Sequence, residues 1–326
     1  MSAPVLVTGG TGFVGGAILA QLVESGQDVR ALVRTSEGAE RVLAAGARPV
    51  TGDILERETL AAAMAGCEIV YHAAGLNLMC LPRPGPLMRT NALGSVNVVR
   101  AAARAGVRRV VYTSTAATLD PGPPGQRDRD RDRFLSQYAR SKSEAERLVC
   151  ELAPSLGLEL VCVNPASVQG PGRTGGTARW LISYANGRLH WMIDATVSLV
   201  DIADCARAHL LAAGRGEPLR RYVISGHTRR LSELVRILGE AAGTTQPLHF
   251  LPAKPALVGA TLVGLPFRAL GRRAPVCREM LRTLAHEHAY DGEPAARELG
   301  FSYTPLEDTM RRALAWYQER RLVRAA

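Results

Sequence analysis

Only two of the 40 basic residues in this chain are lysine, Lys142 and Lys254, although the formal net charge is +10. The arginines that carry the charge are not gathered into a stripe. They are spread along the chain: they alternate with acids from Arg127 to Arg133, and Arg220 and Arg221, Arg229 and Arg230, Arg272 and Arg273, Arg311 and Arg312, Arg320 and Arg321 come in separate pairs. A nucleic-acid surface needs clustered cations with interleaved aromatics, so nucleic acid is not expected as a partner. Long apolar runs are missing too. The best, Pro255 to Phe267, contains Pro266 and falls short of the roughly 18 to 20 residues of a spanning helix. The start, MSAPVLVTGG, has no basic flank and no small-residue cleavage site, so no secretory signal is expected. Cys67, Cys80, Cys150, Cys162, Cys205 and Cys277 form no CxxC pair. That spacing argues against zinc and against a disulfide framework, and for a reducing, cytoplasmic compartment. His286 and His288, two apart, would point to different helix faces, and no metal is expected.

What is present is ample apolar material. At 326 residues and 47% hydrophobic composition, the chain fits one large domain or two unequal ones. Short apolar runs at Pro4–Val7, Asp28–Val33, Ile69–His72, Val107–Thr113 and Leu158–Val163 read as buried strands. Helical patterns at Phe13–Glu24, Ala39–Ala45, Leu60–Ala65, Asn91–Ala105 and Ser136–Leu152 separate them. This alternation predicts an α/β fold, a doubly wound Rossmann-type parallel sheet with ligands at the carboxyl ends of its strands. After about Asn164 the pattern loosens into VQGPGRTGG and then helical segments at Ser232–Ala242, Lys254–Leu270, Arg278–Glu287 and Leu306–Gln318. The expected division is a dinucleotide-binding domain over 1–165 with a return segment near 196–213, and a smaller mixed α/β substrate domain over 166–195 and 214–326.

Directly after the first strand stands TGGTGFVG, with Gly9, Gly12 and Gly15 spaced before a helical run. Glycine there lets the backbone approach a pyrophosphate, and the helix start offers free N–H groups. The second strand ends in Arg34, where a carboxylate would be needed to bind the ribose 2′-hydroxyl of NAD. A guanidinium suits a 2′-phosphate instead, so NADP(H) is expected over NAD(H).

Tyr138 and Lys142 lie four apart in QYARSKSEAE, on one face of a helix. With eight tyrosines and two lysines, chance predicts roughly 0.05 such pairs in the chain, so the spacing is specific. An ammonium beside a phenol favours the phenolate and makes the tyrosine a usable acid and base. Arginine, which effectively never deprotonates, is no substitute. The strand ending VVYTSTAAT brings Thr113, Ser114 and Thr115 to the same sheet edge.

Together TGGTGFVG, GDIL at 52–55, HAAG at 72–75, NALGSVN at 91–97, YTSTAA, YARSK and NPASVQGPG resemble the extended short-chain dehydrogenase/reductase family. In character the chain is nearest to its dihydroflavonol 4-reductase, 3β-hydroxysteroid dehydrogenase and hopanoid-associated sugar epimerase-like members. The resemblance runs in order over about residues 4–172, and the ending ELGFSYTPLEDTMRRALAWY looks like the family's last helix. It implies that Tyr138 is the general acid/base and that Lys142 tunes it and holds the nicotinamide ribose. The family's catalytic serine falls on Thr115, with Ser114 the neighbouring alternative. The cofactor would be held by Thr8, Gly9, Gly12, Phe13, Val14 and Gly15, by Arg34, by Asp53 and Ile54 at the adenine, by Ala73, Ala74, Gly75 and Thr113, and by Pro165, Ala166 and Val168 beside the nicotinamide.

The substrate side is apolar. Leu76, Asn77 and Met79 in the Leu76–Leu81 loop, Tyr184, and Trp191 in HWMI are candidate contacts, each also explained by ordinary packing. The Lys254–Arg273 segment reads as a packed helix, with a lid or a peripheral membrane contact as alternatives. The run Leu119–Arg133 reads as an exposed, solvated loop. The leading reading is an NADPH-dependent ketoreductase or alcohol dehydrogenase of a hydrophobic, cyclic ketone, working as a monomer or homodimer. The alternatives are an epimerase or dehydratase that retains NAD and acts on a sugar-type substrate, and a catalytically silent NADP-sensing protein.

Overall fold

The computed structural model describes residues 3–120, 134–243, 247–274, 276–286 and 288–324. The charged run 121–133, most of the expected exposed loop, lies outside them. Strands and helices alternate as β1 (Val5–Thr8), α1 (Phe13–Glu24), β2 (Val29–Val33), α2 (Ser36–Ala44), β3 (Arg48–Thr51), α3 (Arg57–Met64) and β4 (Ile69–His72). A short helix α4 (Gly85–Leu87), a π-helical turn over Met88–Leu93 and α5 (Gly94–Arg104) then lead to β5 (Arg109–Thr113). A 3₁₀ turn at Ala116–Thr118, α6 (Gln137–Ser155) and β6 (Glu159–Pro165) complete this part. Side-chain caps start several helices: Thr35 accepts from the Gly38 amide at α2 and Ser136 from the Ala139 amide at α6.

These six strands and β10 (Arg221–Ile224) form one parallel sheet in the order β10-β6-β5-β4-β1-β2-β3. Alternation along each strand feeds two cores. Val5 and Val7 of β1 pack with Ile18 and Leu22 of α1 on one face, and Leu6 packs with Leu60, Val98 and Val149 on the other. Each fully buried leucine or valine contributes about 1.5–3 kcal/mol relative to exposure. The chain reverses direction across the sheet between β1 and β4, and ligand crevices of doubly wound folds open at that point.

Strand β3 is absent from the apolar runs of the sequence because it is an edge strand. None of its four residues is fully buried, and Pro49 occupies a position that only an edge tolerates.

The remainder comprises β7 (Ser167–Gln169), α7 (Thr177–Ala185), β8 (Trp191–Met192), β9 (Thr196–Asp201), α8 (Ile202–Arg215), β11 (His227–Arg230), α9 (Leu231–Ala242) and β12 (His249–Phe250). Four helices end it: α10 (Ala253–Ala269), α11 (Arg278–Ala285), α12 (Glu293–Leu299) and α13 (Leu306–Glu319). A mixed sheet, β11-β9-β7, joins α7, α9 and α13 around a third core containing Leu181, Leu234, Leu238, Leu314 and Tyr317. Helix α8 returns to the main sheet, where Cys205 and Ala212 pack into the α1 layer.

The dispersed arginines meet carboxylates: Arg221 with Glu146, Arg220 with Glu298, Arg229 with Glu233, Arg230 with Asp194 and Arg312 with Asp201. One segment departs from expectation. The stretch near 254–270 forms a helix but does not pack as a buried one, since Ala260 is its only buried residue. No helix of the described residues is long and apolar enough to cross a membrane.

Candidate active site

At the end of β1 the chain turns through Gly9–Gly12 into α1. Gly9 has φ +74°, and a Cβ there would lie 2.7 Å from the Ala74 amide nitrogen. A Cβ on Gly15 would lie 2.2 Å from the Gly9 carbonyl oxygen. Neither position admits a side chain. Helix α1 starts at Gly12 with no side-chain cap and no acid in its first turn, so its first amides are left for a ligand. This cradle fits the diphosphate of a dinucleotide, and Ala73 and Ala74 close it from the end of β4. Thr8 accepts a hydrogen bond from the Ala74 amide at 3.3 Å, which ties the two strand ends together.

Arg34 follows β2 with its side chain 73% exposed, and its Nη1 lies 3.9 Å from Asp53 Oδ2. A guanidinium and a carboxylate therefore stand together where the adenine ribose would lie. Ile54 is buried in the core, where its side chain fills the space that a Cβ on Gly94 would need. Asn97 donates to its carbonyl oxygen at 3.0 Å.

Tyr138 and Lys142 project from the first turns of α6 onto the ends of β5 and β6. The hydroxyl of Thr115 hydrogen-bonds Tyr138, whereas Ser114 Oγ is buried without a partner among the described residues. Of the two hydroxyls, that of Thr115 is the one that acts on the phenol. Burial pushes Tyr138 up to about 12, opposed by the Thr115 hydrogen bond and by the nearby charge of Arg173. The phenol keeps its proton at neutral pH.

Lys142 is buried, and its Nζ donates to Tyr112 Oη at 2.8 Å and to the Thr113 carbonyl at 2.7 Å, 4.4 Å from the Tyr112 ring centroid. Burial lowers it to about 8, with Glu146 acting in the opposite sense. The ammonium is therefore held by β5, and the cation whose charge acts on Tyr138 is Arg173. Thr113 contributes its carbonyl to this cluster, while its hydroxyl bonds His209 Nε2 at 2.9 Å.

Several residues of this cluster were assigned no role from the sequence, although His72, Asn91 and Ser95 fall within the HAAG and NALGSVN motifs. His72, lowered to about 3 by burial and then by Lys142, is neutral. It bonds Thr8 Oγ1 at 2.7 Å and Ser95 Oγ at 2.9 Å. Because Ser95 Oγ donates to the Asn91 carbonyl, the proton of His72 sits on Nε2. Asn91, in the π-helical turn, donates to Leu76 O at 3.0 Å and to Ser141 Oγ at 2.8 Å, and accepts from the Leu76 amide at 2.7 Å. It pins the loop after β4 to α6. Glu146 is buried, accepts from Asn164 at 2.8 Å and pairs with Arg221 at 2.6 Å. Its spacing from Lys142, i to i+4, was the one available signal.

On the nicotinamide side, Pro165 ends β6, Ala166 donates to Ile224 O at 2.9 Å, and the Val168 carbonyl accepts from Arg173. Arg173 also lies 5.8 Å from the Phe13 ring centroid and has no carboxylate partner among the described residues.

The substrate candidates separate. Leu76 and Met79 are partly buried in the loop after β4, with Asn77 exposed beside them. Tyr184 lies in the C-terminal core with Ala178 and Leu181. Trp191 is exposed and its ring lies 4.7 Å from His249. Packing accounts for Tyr184.

The cysteine expectation also fails, since Cys80 and Cys277, 197 residues apart, form a disulfide. Sequence spacing cannot reveal a pair that only the fold brings together. The bond ties the Leu76–Leu81 loop to the start of α11, and there Glu279 accepts from the Cys80 amide at 2.9 Å and the Gln137 amide at 2.6 Å. One carboxylate thus links the loop to the residue before Tyr138. The cysteine argument for a reducing compartment falls with it.

The model of the NAD dependent epimerase/dehydratase family matches residues 5–225. A 4-hydroxy-2-methyl-3-oxo-4-farnesyl-3,4-dihydroquinoline-1-oxide ketoreductase from Stigmatella aurantiaca is 33% identical over 305 residues, 91% of each chain. A putative dihydroflavonol 4-reductase from Synechocystis sp. is 29% identical over 96% of this chain and 94% of its own. Among solved structures, a nucleoside-diphosphate-sugar epimerase from Pseudomonas aeruginosa superposes with TM-score 0.81 at 24% identity, covering 99% of this chain and 100% of its own. That likeness shows the fold.

Proposed function

The chain belongs to the NAD dependent epimerase/dehydratase family, as a nicotinamide-dependent enzyme acting on CH–OH or C=O groups, and from that premise we propose that it is an NADPH-dependent ketoreductase of hydrophobic cyclic ketones. The observation that carries the reading is Tyr138, a buried phenol that keeps its proton beside Thr115 at the end of β5. A protonated acid poised at a carbonyl serves reduction, whereas a cycle that begins by oxidising an alcohol needs a base there.

When bound, the nicotinamide supplies the hydride. The chain's own residues do the rest. Thr115 and Tyr138 hold the substrate oxygen between two hydroxyls, and Tyr138 Oη releases its proton to it. Lys142, fixed by Tyr112 and the Thr113 carbonyl, would hold the nicotinamide ribose through its remaining donor. Glu146 keeps that ammonium charged despite its burial. Arg173 stabilises the phenolate left behind.

Arg34 supports NADPH, because its guanidinium is exposed and held only by the 3.9 Å contact with Asp53, leaving donors for a 2′-phosphate. The substrate class rests on the apolar loop at Leu76–Leu81 and on relatives named for dihydroquinoline, dihydroflavonol and sterol chemistry. Residues 166–195 and 214–326 are the proposed substrate side. The cytoplasm is the proposed location, on the cofactor requirement alone.

The test is a panel of steroid, flavonoid, quinolone and polyketide-like ketones with NADPH or NADH, read as loss of reduced-cofactor absorbance. Turnover of fused-ring ketones with NADPH is expected. Stoichiometric NAD released from the purified protein by acid would instead establish the cofactor-retaining epimerase or dehydratase.

A further inference from the structure

Helix α10 turns its apolar face to solvent. Val258, Leu262, Leu265 and Leu270 are 62%, 62%, 54% and 70% exposed, whereas Ala260 on the opposite side is buried. Residues 258, 262 and 265 fall at i, i+4 and i+7, on one stripe, and Val263 and Leu270 widen it. Phe250 and Leu251, just before the helix, and Trp191 on the neighbouring strand are exposed as well. A patch of this kind marks an interaction surface.

The charge along this segment of the chain is of one sign. From Ala241 to Arg278 there is no aspartate or glutamate, while Lys254, Arg268, Arg272, Arg273 and Arg278 are all cations. Lys254, Arg268 and Arg272 have no ion-pair partner among the described residues, unlike the paired arginines elsewhere. Isologous docking of a second copy would set these cations against their own equivalents.

We infer that α10 and its flanking cations dock this protein on the surface of a lipid bilayer rich in anionic headgroups, the apolar stripe entering the interface and the arginines meeting phosphates. The docked helix stands next to the substrate loop. Arg273 Nε donates to the Met79 carbonyl at 2.9 Å, and Cys277 is joined to Cys80. A hydrophobic substrate dissolved in the bilayer would thereby reach the Leu76–Leu81 loop without crossing water. The docking itself does not depend on which substrate is used.

The experiment is co-sedimentation of the full chain with phosphatidylglycerol/phosphatidylcholine vesicles and with pure phosphatidylcholine vesicles, at low and high salt. The intact protein should bind the anionic vesicles at least tenfold better, and high salt should weaken that binding. L262E/L265E should lower it at least tenfold, and R268Q/R272Q should lower it about fivefold per cation removed. Circular dichroism should show both variants as folded as the parent, because these side chains are exposed. Absence of binding to anionic vesicles, or binding that the L262E/L265E variant retains, overturns the inference. So does light scattering that finds a dimer which L262E/L265E converts to monomer while vesicle binding is unchanged.

Discussion

The Tyr138–Lys142 cluster and helix α10 treat polar and apolar groups in opposite ways. Around Lys142 the charge is buried and held by named neighbours: hydrogen bonds to Tyr112 and the Thr113 carbonyl, and the charge of Glu146 one turn on. On α10 the apolar side chains are outside and the cations beside them stand unpaired among the described residues. The first arrangement fixes geometry, because a buried charge is tolerated only with its partners in place. The second leaves binding capacity unused. A chemical centre needs the former, and a docking surface consists of the latter.

Substitutions in the two regions should differ by orders of magnitude in what they cost. Tyr138→Phe removes the proton donor and should lower kcat by on the order of 10³-fold with NADPH affinity spared, as read by steady-state kinetics and fluorescence titration. A variant that keeps most of its turnover sinks the assignment. Gly15→Ala sets a methyl 2.2 Å from the Gly9 carbonyl. It should cost on the order of 1–3 kcal/mol in thermal unfolding and weaken cofactor binding more than tenfold.

Arg34→Asp should weaken NADPH binding by about 10- to 100-fold, the range of a hydrogen bond to a charged group, and leave NADH nearly unchanged. An unaltered NADPH-to-NADH ratio of kcat/KM sinks the cofactor preference. The pH profile is a gentler probe. Lys142 titrates at about 8 instead of its ordinary 10.5, so it is charged below about pH 8 and neutral above. Reduction should be flat at lower pH and decline as pH rises through that value. The same shift means that the folded state holds fewer protons than the unfolded one between the two values, so Lys142 makes stability rise with pH there. Smallest of all, Leu262→Glu on α10 should change unfolding free energy by less than about 0.5 kcal/mol. Leu238→Ala in the core under α9 should cost about 2–5 kcal/mol. Equal costs at these two leucines would erase the contrast between the regions.

Legibility follows the same division. Strand and helix alternation, the glycine turn and the Tyr138–Lys142 spacing are local, and local geometry is written in short intervals: three residues for the turn, four for a helix face. Helix α1 occupies the span its pattern predicts, Phe13–Glu24. The β3 edge left no apolar run to read. Asn91, His72 and Ser95 carry no signal alone, because their value lies in meeting Thr8, Leu76 and Ser141 from distant strands. For α10, composition specified an apolar helix but not whether anything covers it.

The sequence by itself determined the doubly wound sheet, the dinucleotide cradle and the pair at 138 and 142. Only the tertiary structure decided the joining of Cys80 to Cys277, the grip of Tyr112 on Lys142, the turning of Thr113 toward His209 and the exposure of α10. The physical reason is separation along the chain. Periodicity and steric exclusion act between neighbours in sequence, whereas pairing, desolvation and burial depend on which remote segments the completed fold brings into contact.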